Sequence, residues 1–525
     1  DQGLTLLAPL VAIGAALATK RVIPSLAAGA AVGAMVAQEG VLVEAINAMG
    51  LYMMRATGFS FVGDTWAFNP DHVIISMFSL MVAATVGVMT ASGGTRALVE
   101  RLETIAHGPR GAMVTSWLAG MVVFFDDYAN CLVVGNAMGP LCDQFRVSRA
   151  KLAYIVDSTA APVASLAVIS TWVGYEVGLL DDALVAAGSN AAAFSVFIHA
   201  LPYRFYSIFT LFFVGVIAIS NRDFGPMAVE ELKARRGPLP IIDLKSANAR
   251  GNLWLALLPV VVLVGLTFAL MVFTGQRALG EEAATAPFFQ VLGEAEAYWS
   301  MFMGSIAAFS LAAIMALSMR ALSLRALILA SWNSMGTVAE ALIILYLAWT
   351  LGNAIGDTNA ANFISGQLNG AVPIALIPAV TFLLAAFTAF STGTSFGTMS
   401  ILIPLVVPLS LSVSNGEVSH VVLGSTAAVL AGSCLGDHAS PISDTTLLSA
   451  LGANVDIIVH VRTQLPYAIA AGFVSLLVGY IPAGLGVTPW ILIPIGCVGC
   501  LLVVLILGRK MDVILPTTKP EEATE

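Results

Sequence analysis

Gly436-Asp437-His438-Ala439-Ser440-Pro441-Ile442-Ser443-Asp444-Thr445-Thr446 interrupts a long apolar stretch and decides how the rest of the chain is read. It carries two carboxylates, an imidazole and four hydroxyls, where hydrocarbon would tolerate almost none of them. Ionisable groups inside a membrane are expensive and usually mark a transport pathway. A Gly/Pro break there frees backbone carbonyls, which is tolerable only where they line a cavity. The segment reads as part of an ion site in a broken membrane helix, with Pro441 as the break.

The surroundings support that reading. The 525 residues are 58% hydrophobic and only 10% charged, which excludes a soluble globular protein and implies a multi-pass membrane protein in a lipid bilayer. The net charge of −9 carries no nucleic-acid signature. The five cysteines show no metal or disulfide spacing, and the Cys497/Cys500 pair lies in an apolar run that suits packing. Apolar runs of spanning length fall near 3–19, 22–38, 72–92, 193–219, 251–274, 298–319, 326–351, 466–486 and 488–508. The first lacks a basic n-region and reads as a spanning helix, not a signal peptide. Residues 39–71 mix polar and apolar residues and suit the interface.

Four further regions are apolar but interrupted: 111–141, 148–180, 371–413 and 420–450. If 111–141 and 371–413 are hairpins that enter and leave on one side, every Lys and Arg except Arg55, Arg204 and Arg277 falls on the cytoplasmic face. The positive-inside rule then sets an outside N-terminus and a cytoplasmic C-terminus in the plasma (inner) membrane.

An internal repeat agrees with the hairpins. Leu201-Pro202-Tyr203 recurs as Leu465-Pro466-Tyr467, and Val214-Gly215 as Val478-Gly479, at one constant offset. Phe125 and Pro140 bracket the first hairpin tip as Phe390 and Pro404 bracket the second. Asp157 followed by Pro162 matches Asp437 followed by Pro441. The chain therefore divides into 1–71 (scaffold helices and an interfacial segment), 72–219 (first repeat), 220–325 (cytoplasmic loop and scaffold helices), 326–486 (second repeat) and 487–525 (last helix and tail). The hairpins open to opposite sides, so the repeats are inverted, as alternating access about a midplane site requires. The expected fold is an all-α polytopic membrane protein with two inverted repeats, each holding a re-entrant hairpin and a broken transmembrane helix.

The first hairpin tip, Phe124-Phe125-Asp126-Asp127-Tyr128-Ala129-Asn130, places two carboxylates side by side. A solvated loop would explain them, but apolar runs flank the tip on both sides. Adjacent carboxylates out of water need a cation or a proton. In the first broken helix, Asp157, Ser158 and Thr159 offer hard oxygen ligands, and Pro162 removes a helix hydrogen bond. The second tip, Phe390-Ser391-Thr392-Gly393-Thr394-Ser395, offers hydroxyls and a glycine that permits close backbone approach. Glu176 and Glu340 lie in or near apolar helices and read equally as structural hydrogen-bonders. His438 beside Asp437 reads as a titrating group or a structural donor. The motifs 124–130, 157–165, 390–398 and 436–446 hold no Lys or Arg, so the site should attract cations or zwitterions.

Motifs FFDDYANCLVVG (124–135), AYIVDSTAAPVAS (153–165), FSTGTSFGTMSILIPL (390–405) and GDHASPISDTT (436–446) closely resemble the NhaC-type Na⁺/H⁺ antiporters of the ion-transporter superfamily. The resemblance covers nearly the whole chain. It implies a homodimer working as an elevator, with each ion site between a hairpin tip and the neighbouring broken helix. One site would use Asp126, Asp127, Asn130, Asp157, Ser158 and Thr159. The other would use Ser391, Thr392, Thr394, Ser395, Asp437, Ser440, Ser443 and Asp444, with His438 where some relatives carry a basic residue.

Na⁺/H⁺ exchange is the leading reading, with Na⁺ as coupling ion and no other cofactor. Na⁺- or H⁺-coupled movement of a small zwitterion such as an amino acid is the alternative. An enzyme is not expected. Gly436-Asp437 resembles the Gly-x-Gly-Asp signature of intramembrane aspartyl proteases, but Cys434 replaces its first glycine and an inverted repeat has no place there.

Overall fold

Backbone amides in hydrocarbon find no water, so apolar stretches satisfy them within helices. The computed structural model describes residues 4–511 except 6, 20, 63–64, 69, 104–105, 238–251, 282–287, 294 and 359–372. Part of the expected cytoplasmic loop, part of the acidic 275–297 stretch, and residues 371–372 of the second hairpin lie outside the described residues. The chain opens with α1 (Leu7–Thr19), α2 (Val22–Ala37) and α3 (Leu42–Ala56), followed by the hairpin β1 (Phe59–Val62) and β2 (Thr65–Phe68). Then come α4 (Asp71–Ala91), α5 (Gly94–Glu103), α6 (Gly108–Val122), α7 (Asp127–Gln144), α8 (Arg149–Leu166) and α9 (Thr171–Ala186). A bent pair, α10 (Ala193–Ala200) and α11 (Phe205–Ser220), precedes α12 (Gly225–Arg236), α13 (Trp254–Leu279), α14 (Phe288–Gly293), α15 (Ala297–Ser318) and α16 (Leu324–Thr358). The second half holds α17 (Ile377–Thr392), α18 (Ser395–Val413), α19 (His420–Ala439), α20 (Asp444–Gly452), α21 (Ile457–Val474) and α22 (Pro489–Leu507). Strand β3 (Arg222–Asp223) pairs with β4 (Arg509–Lys510) and ties the end of the chain to the middle. Among the described residues nine helices are long and apolar enough to cross a bilayer, or up to eleven with each bent pair taken as one span.

Helices α6 and α7 form the first hairpin, and α17 and α18 the second. Small residues set the register. A Cβ on Gly120 of α6 would lie 2.0 Å from the Thr159 hydroxyl of α8, and the Thr171 amide donates to the Phe125 carbonyl at 3.0 Å. Helix α6 therefore runs parallel to α8 and turns back where α8 ends. In the second half, Gly424, Gly432 and Gly436 of α19 face Pro378, Phe382 and Ala386 of α17. The Ser440 hydroxyl donates to the Phe390 carbonyl at 2.8 Å. Helix α17 is parallel to α19, and this hairpin too turns back at the break. Each tip thus docks on the break of its own repeat.

Contacts between the halves show the inversion. Helix α9 runs parallel to α18, with Trp172 on Phe396 and Tyr175 bonded to Ser400. Helix α7 runs parallel to α20, through Tyr128 on Asp444, Cys131 on Ser449 and Gly135 on Gly452. Since α18 opposes α17 and α19, while α9 continues α8 across a 48° bend, α19 runs against α8.

Three expectations are corrected. Pro162 lies inside α8, and the chain leaves the helix only after Leu166, at residues 167–170; a proline in a buried helix is accommodated when neighbouring groups take up the freed carbonyl. Asp157 and Asp437 are not equivalent in the two repeats: Asp157 sits in the middle of α8 and Asp437 in the last turn of α19. Over the described residues α1 and α2 hold 13 and 16 residues, about 20 and 24 Å, and α2 is short of the roughly 30 Å of a bilayer core. In addition, each arm of the second hairpin is long and apolar enough to cross by itself, although the hairpin turns back one nine-residue helix before the α19–α20 path ends.

The inversion places the α7–α8 connection and the α18–α19 connection at opposite ends of the bundle. Cysteines replacing the exposed Gln144 and Asn415 are expected to react with an impermeant maleimide from opposite faces of sealed vesicles. Reaction of both from one face would contradict the inversion.

Candidate functional site

Hairpin tips and helix breaks leave polar backbone without helical partners, and short polar side chains take over there. Asp126 caps α7 and accepts from the Ala129 amide at 2.7 Å. The Asn130 amide donates to the carbonyls of Gly120 (2.7 Å), Val123 (3.1 Å) and Thr159 (3.0 Å), which holds the tip shut against α8. In the second tip, Gly393 takes the left-handed conformation at φ 71°, and any Cβ would meet the Ile442 carbonyl at 2.8 Å. Thr394 caps α18 and accepts from the Gly397 amide, while Ser443 caps α20. Thr392 donates back to Thr388, and Ser391 is half-buried.

Asp437 receives the Ser395 hydroxyl at 3.0 Å and the Thr445 hydroxyl at 3.4 Å on one oxygen. Tip and break of the second repeat therefore meet at a carboxylate, as expected. Asp157 is different. Its Oδ2 accepts from His460 (3.2 Å), Gln464 (2.9 Å) and Thr446 (3.2 Å), all from the second repeat. Ser158 bonds the His438 ring at 3.0 Å, and Tyr206 bonds its other nitrogen at 2.7 Å. Thr159 donates back into its own helix. Asp444, conversely, accepts from Tyr128 of the first hairpin and from the Thr445 amide at 2.9 Å. The two residue groups are therefore not separate: their hydrogen bonds cross between the repeats into one central cluster.

His460, Gln464, Thr446, Tyr128 and Tyr206 were not among the candidates read from the sequence. The usable signal for two of them is the i, i+4 spacing that puts His460 and Gln464 on one face of a largely apolar helix that also carries Arg462 and Thr463.

Asp126, Asp127, Asp157 and Asp437 are all at most 5% exposed. The buried basic groups nearby are engaged elsewhere. Arg204 pairs with Glu176 at 2.8 Å and caps the Ser165 carbonyl, so Glu176 is structural. Lys151 pairs with Asp223, which also accepts from Tyr467 at 2.6 Å. Among the described residues, Asp127 Oδ2, Asn130 Oδ1, Asp437 Oδ1 and Gln464 Oε1 are buried without any hydrogen-bond donor. The Thr171 hydroxyl and the Trp172 indole N–H beside the first tip are likewise buried without a partner, and bare oxygen lone pairs cost free energy unless a donor, cation or proton joins them. Among the described residues no group of three or more His, Cys, Asp or Glu side chains is placed to hold a metal ion, so a small cation bound here would draw on hydroxyl, amide and backbone oxygens as well.

Inverted repeats, tips docked on breaks and an acceptor-rich centre define a secondary transporter, not an enzyme. Residues 163–485 match the Na⁺/H⁺ antiporter family, and the chain belongs to that family. An uncharacterised protein of Haemophilus influenzae is 32% identical over 479 residues, covering 90% of this chain and 89% of that one. The arginine/ornithine antiporter ArcD of Halobacterium salinarum is 35% identical over 101 residues, 19% of this chain and 21% of that one. The YdaH transporter of Alcanivorax borkumensis shares the fold at TM-score 0.51 and 15% identity, over 85% of this chain and 97% of that chain.

Replacing either central carboxylate by its amide removes its charge at nearly constant volume. Asp157→Asn and Asp437→Asn should each fold, elute as the parent does, and lower transport in proteoliposomes at least tenfold. Undiminished transport by both would remove these carboxylates from the working site.

Proposed function

We propose that the protein exchanges Na⁺ for H⁺ across the plasma membrane by alternating access. The observation that carries this reading is the set of donor-less buried oxygens on Asp127, Asn130 and Asp437. Na⁺ and protons would compete for them, with Asp126, Asp157 and Asp444 completing the negative charge and Ser395, Ser440 and Ser443 lining the tip and break. The two hairpins with α8, α9, α19 and α20 would move as an elevator against α4, α13, α15 and α16, in a homodimer with the N-terminus outside and the C-terminus cytoplasmic. The positive-inside distribution supports that orientation.

A second reading is Na⁺- or H⁺-coupled movement of a small organic solute such as an amino acid. A cavity of about 410 Å³ between the second tip, α2 and α16 favours it, as does the partial likeness to an arginine/ornithine antiporter.

In the exchanger, carboxylates without Na⁺ hold at least one proton, and Na⁺ binding expels it. Binding is then weak at low pH, where the proton must be displaced, and strengthens as pH rises. Linkage gives up to about tenfold in affinity per pH unit for one proton exchanged. Calorimetric titration of the detergent-solubilised protein with Na⁺ between about pH 6 and 8.5 measures it. A pH-independent affinity that instead requires an organic solute would reject exchange in favour of the second reading.

A further inference from the structure

The cavity beside the second hairpin tip is lined by charges of both signs. Arg21 of the α1–α2 turn, Glu340 of α16 and Asp444 at the start of α20 all face it, together with Tyr128, Gly393 and Thr394. Its volume of about 410 Å³ falls in the range of small-molecule sites, and far exceeds the roughly 30 Å³ that each water of a hydrated ion occupies.

The register of α2 against α16 places Arg21 beside the middle of that helix, not beside its end. Gly29 and Gly33 of α2 pack on Leu351 and Ala354 of α16, so α2 runs alongside the second half of α16. Arg21 therefore falls opposite Thr337–Ile344. Glu340 is roughly 24 Å from one end of the 35-residue α16 and roughly 27 Å from the other, at 1.5 Å per residue. Both side chains are exposed, and an ionisable pair opposite the middle of an otherwise spanning helix points to function. Arg21 also sits at a helix N-terminus, where the macrodipole disfavours a positive charge. Among the described residues neither the Arg21 guanidinium nor the Glu340 carboxylate has a hydrogen-bonded or ionic partner. Opposite charges that share a cavity yet stay unpaired leave room for a ligand that bridges them.

We propose that this cavity binds a small amino acid, its carboxylate on Arg21 and its ammonium group on Asp444 and Glu340. The inference rests on the solute-coupled reading and adds the substrate class and two residues outside the cation cluster. Arg21 offers the planar fork that matches a carboxylate. Two carboxylates against one guanidinium favour a diamino acid, with two ammonium groups, over a monoamino acid. They oppose dicarboxylates, whose second anionic group would meet Asp444 or Glu340. Tyr128, already bonded to Asp444, links occupancy of this cavity to the first hairpin.

Counterflow in proteoliposomes of the full chain, with radiolabelled lysine, ornithine, alanine, glutamate and malate, tests the proposal. Lysine or ornithine should show the lowest KM, and glutamate and malate should not be carried. Glu340→Gln should raise KM for the diamino acids at least tenfold and for alanine less. Arg21→Gln should raise KM for every amino acid at least tenfold and abolish the preference for lysine over its methyl ester, and Arg21→Lys should restore part of both. Thermal unfolding of the purified variants checks folding, and Glu340→Gln alone carries the test if the Arg21 variants do not fold. Absence of any amino-acid exchange by the parent protein would overturn the solute-coupled reading itself. Amino-acid exchange with KM unchanged within twofold in both Gln variants would leave that reading standing and remove this cavity as its site.

Discussion

Docking of each hairpin tip on the break of its own repeat is the contact on which the centre of this molecule depends. The Thr171 amide bonds the Phe125 carbonyl, and the Ser440 hydroxyl bonds the Phe390 carbonyl. A helix that stops inside a membrane exposes backbone groups that hydrocarbon cannot satisfy. A hairpin that stops at the same depth has the same problem. Each supplies the other's missing partners, and the polar pocket they enclose is where carboxylates can be held.

Close approach makes the docking possible. Gly120, Gly135, Gly436 and Gly452 sit where a Cβ would come within 2.0–2.7 Å of a neighbouring helix. In lipid no hydrophobic force draws one apolar helix to another, so tight van der Waals contact between small residues does that work. The same contacts fix which hydroxyls reach Asp437 and which amide reaches Thr159.

The crossed hydrogen bonds have a mechanical consequence. Asp157 of the first repeat is held by Thr446, His460 and Gln464 of the second, and Asp444 of the second is held by Tyr128 of the first. A change of charge at either carboxylate is felt by both repeats at once. Such coupling favours movement of the hairpins and broken helices as one body over independent opening of each hairpin.

The sequence alone determined the membrane class, the repeat, both hairpins, the second break and the polar residues at the tips. These signals are local: an apolar run, a glycine or proline, a carboxylate where lipid should be. Tertiary structure decided the rest. Nothing near Pro162 in the sequence tells that the helix continues to Leu166, because the surrounding bundle, not the proline, sets where α8 ends. Nothing near Asp157 points to His460 and Gln464, some 300 residues away. The placement of Arg21 beside α16 was equally hidden, since a basic residue between two apolar runs reads as a cytoplasmic loop by the rule of charge distribution. Only the packing of Gly29 and Gly33 on α16 sets the register that carries it opposite the middle of that helix. Helix-to-helix register is a property of side chains distant in sequence, and it is what turns scattered polar residues into a site.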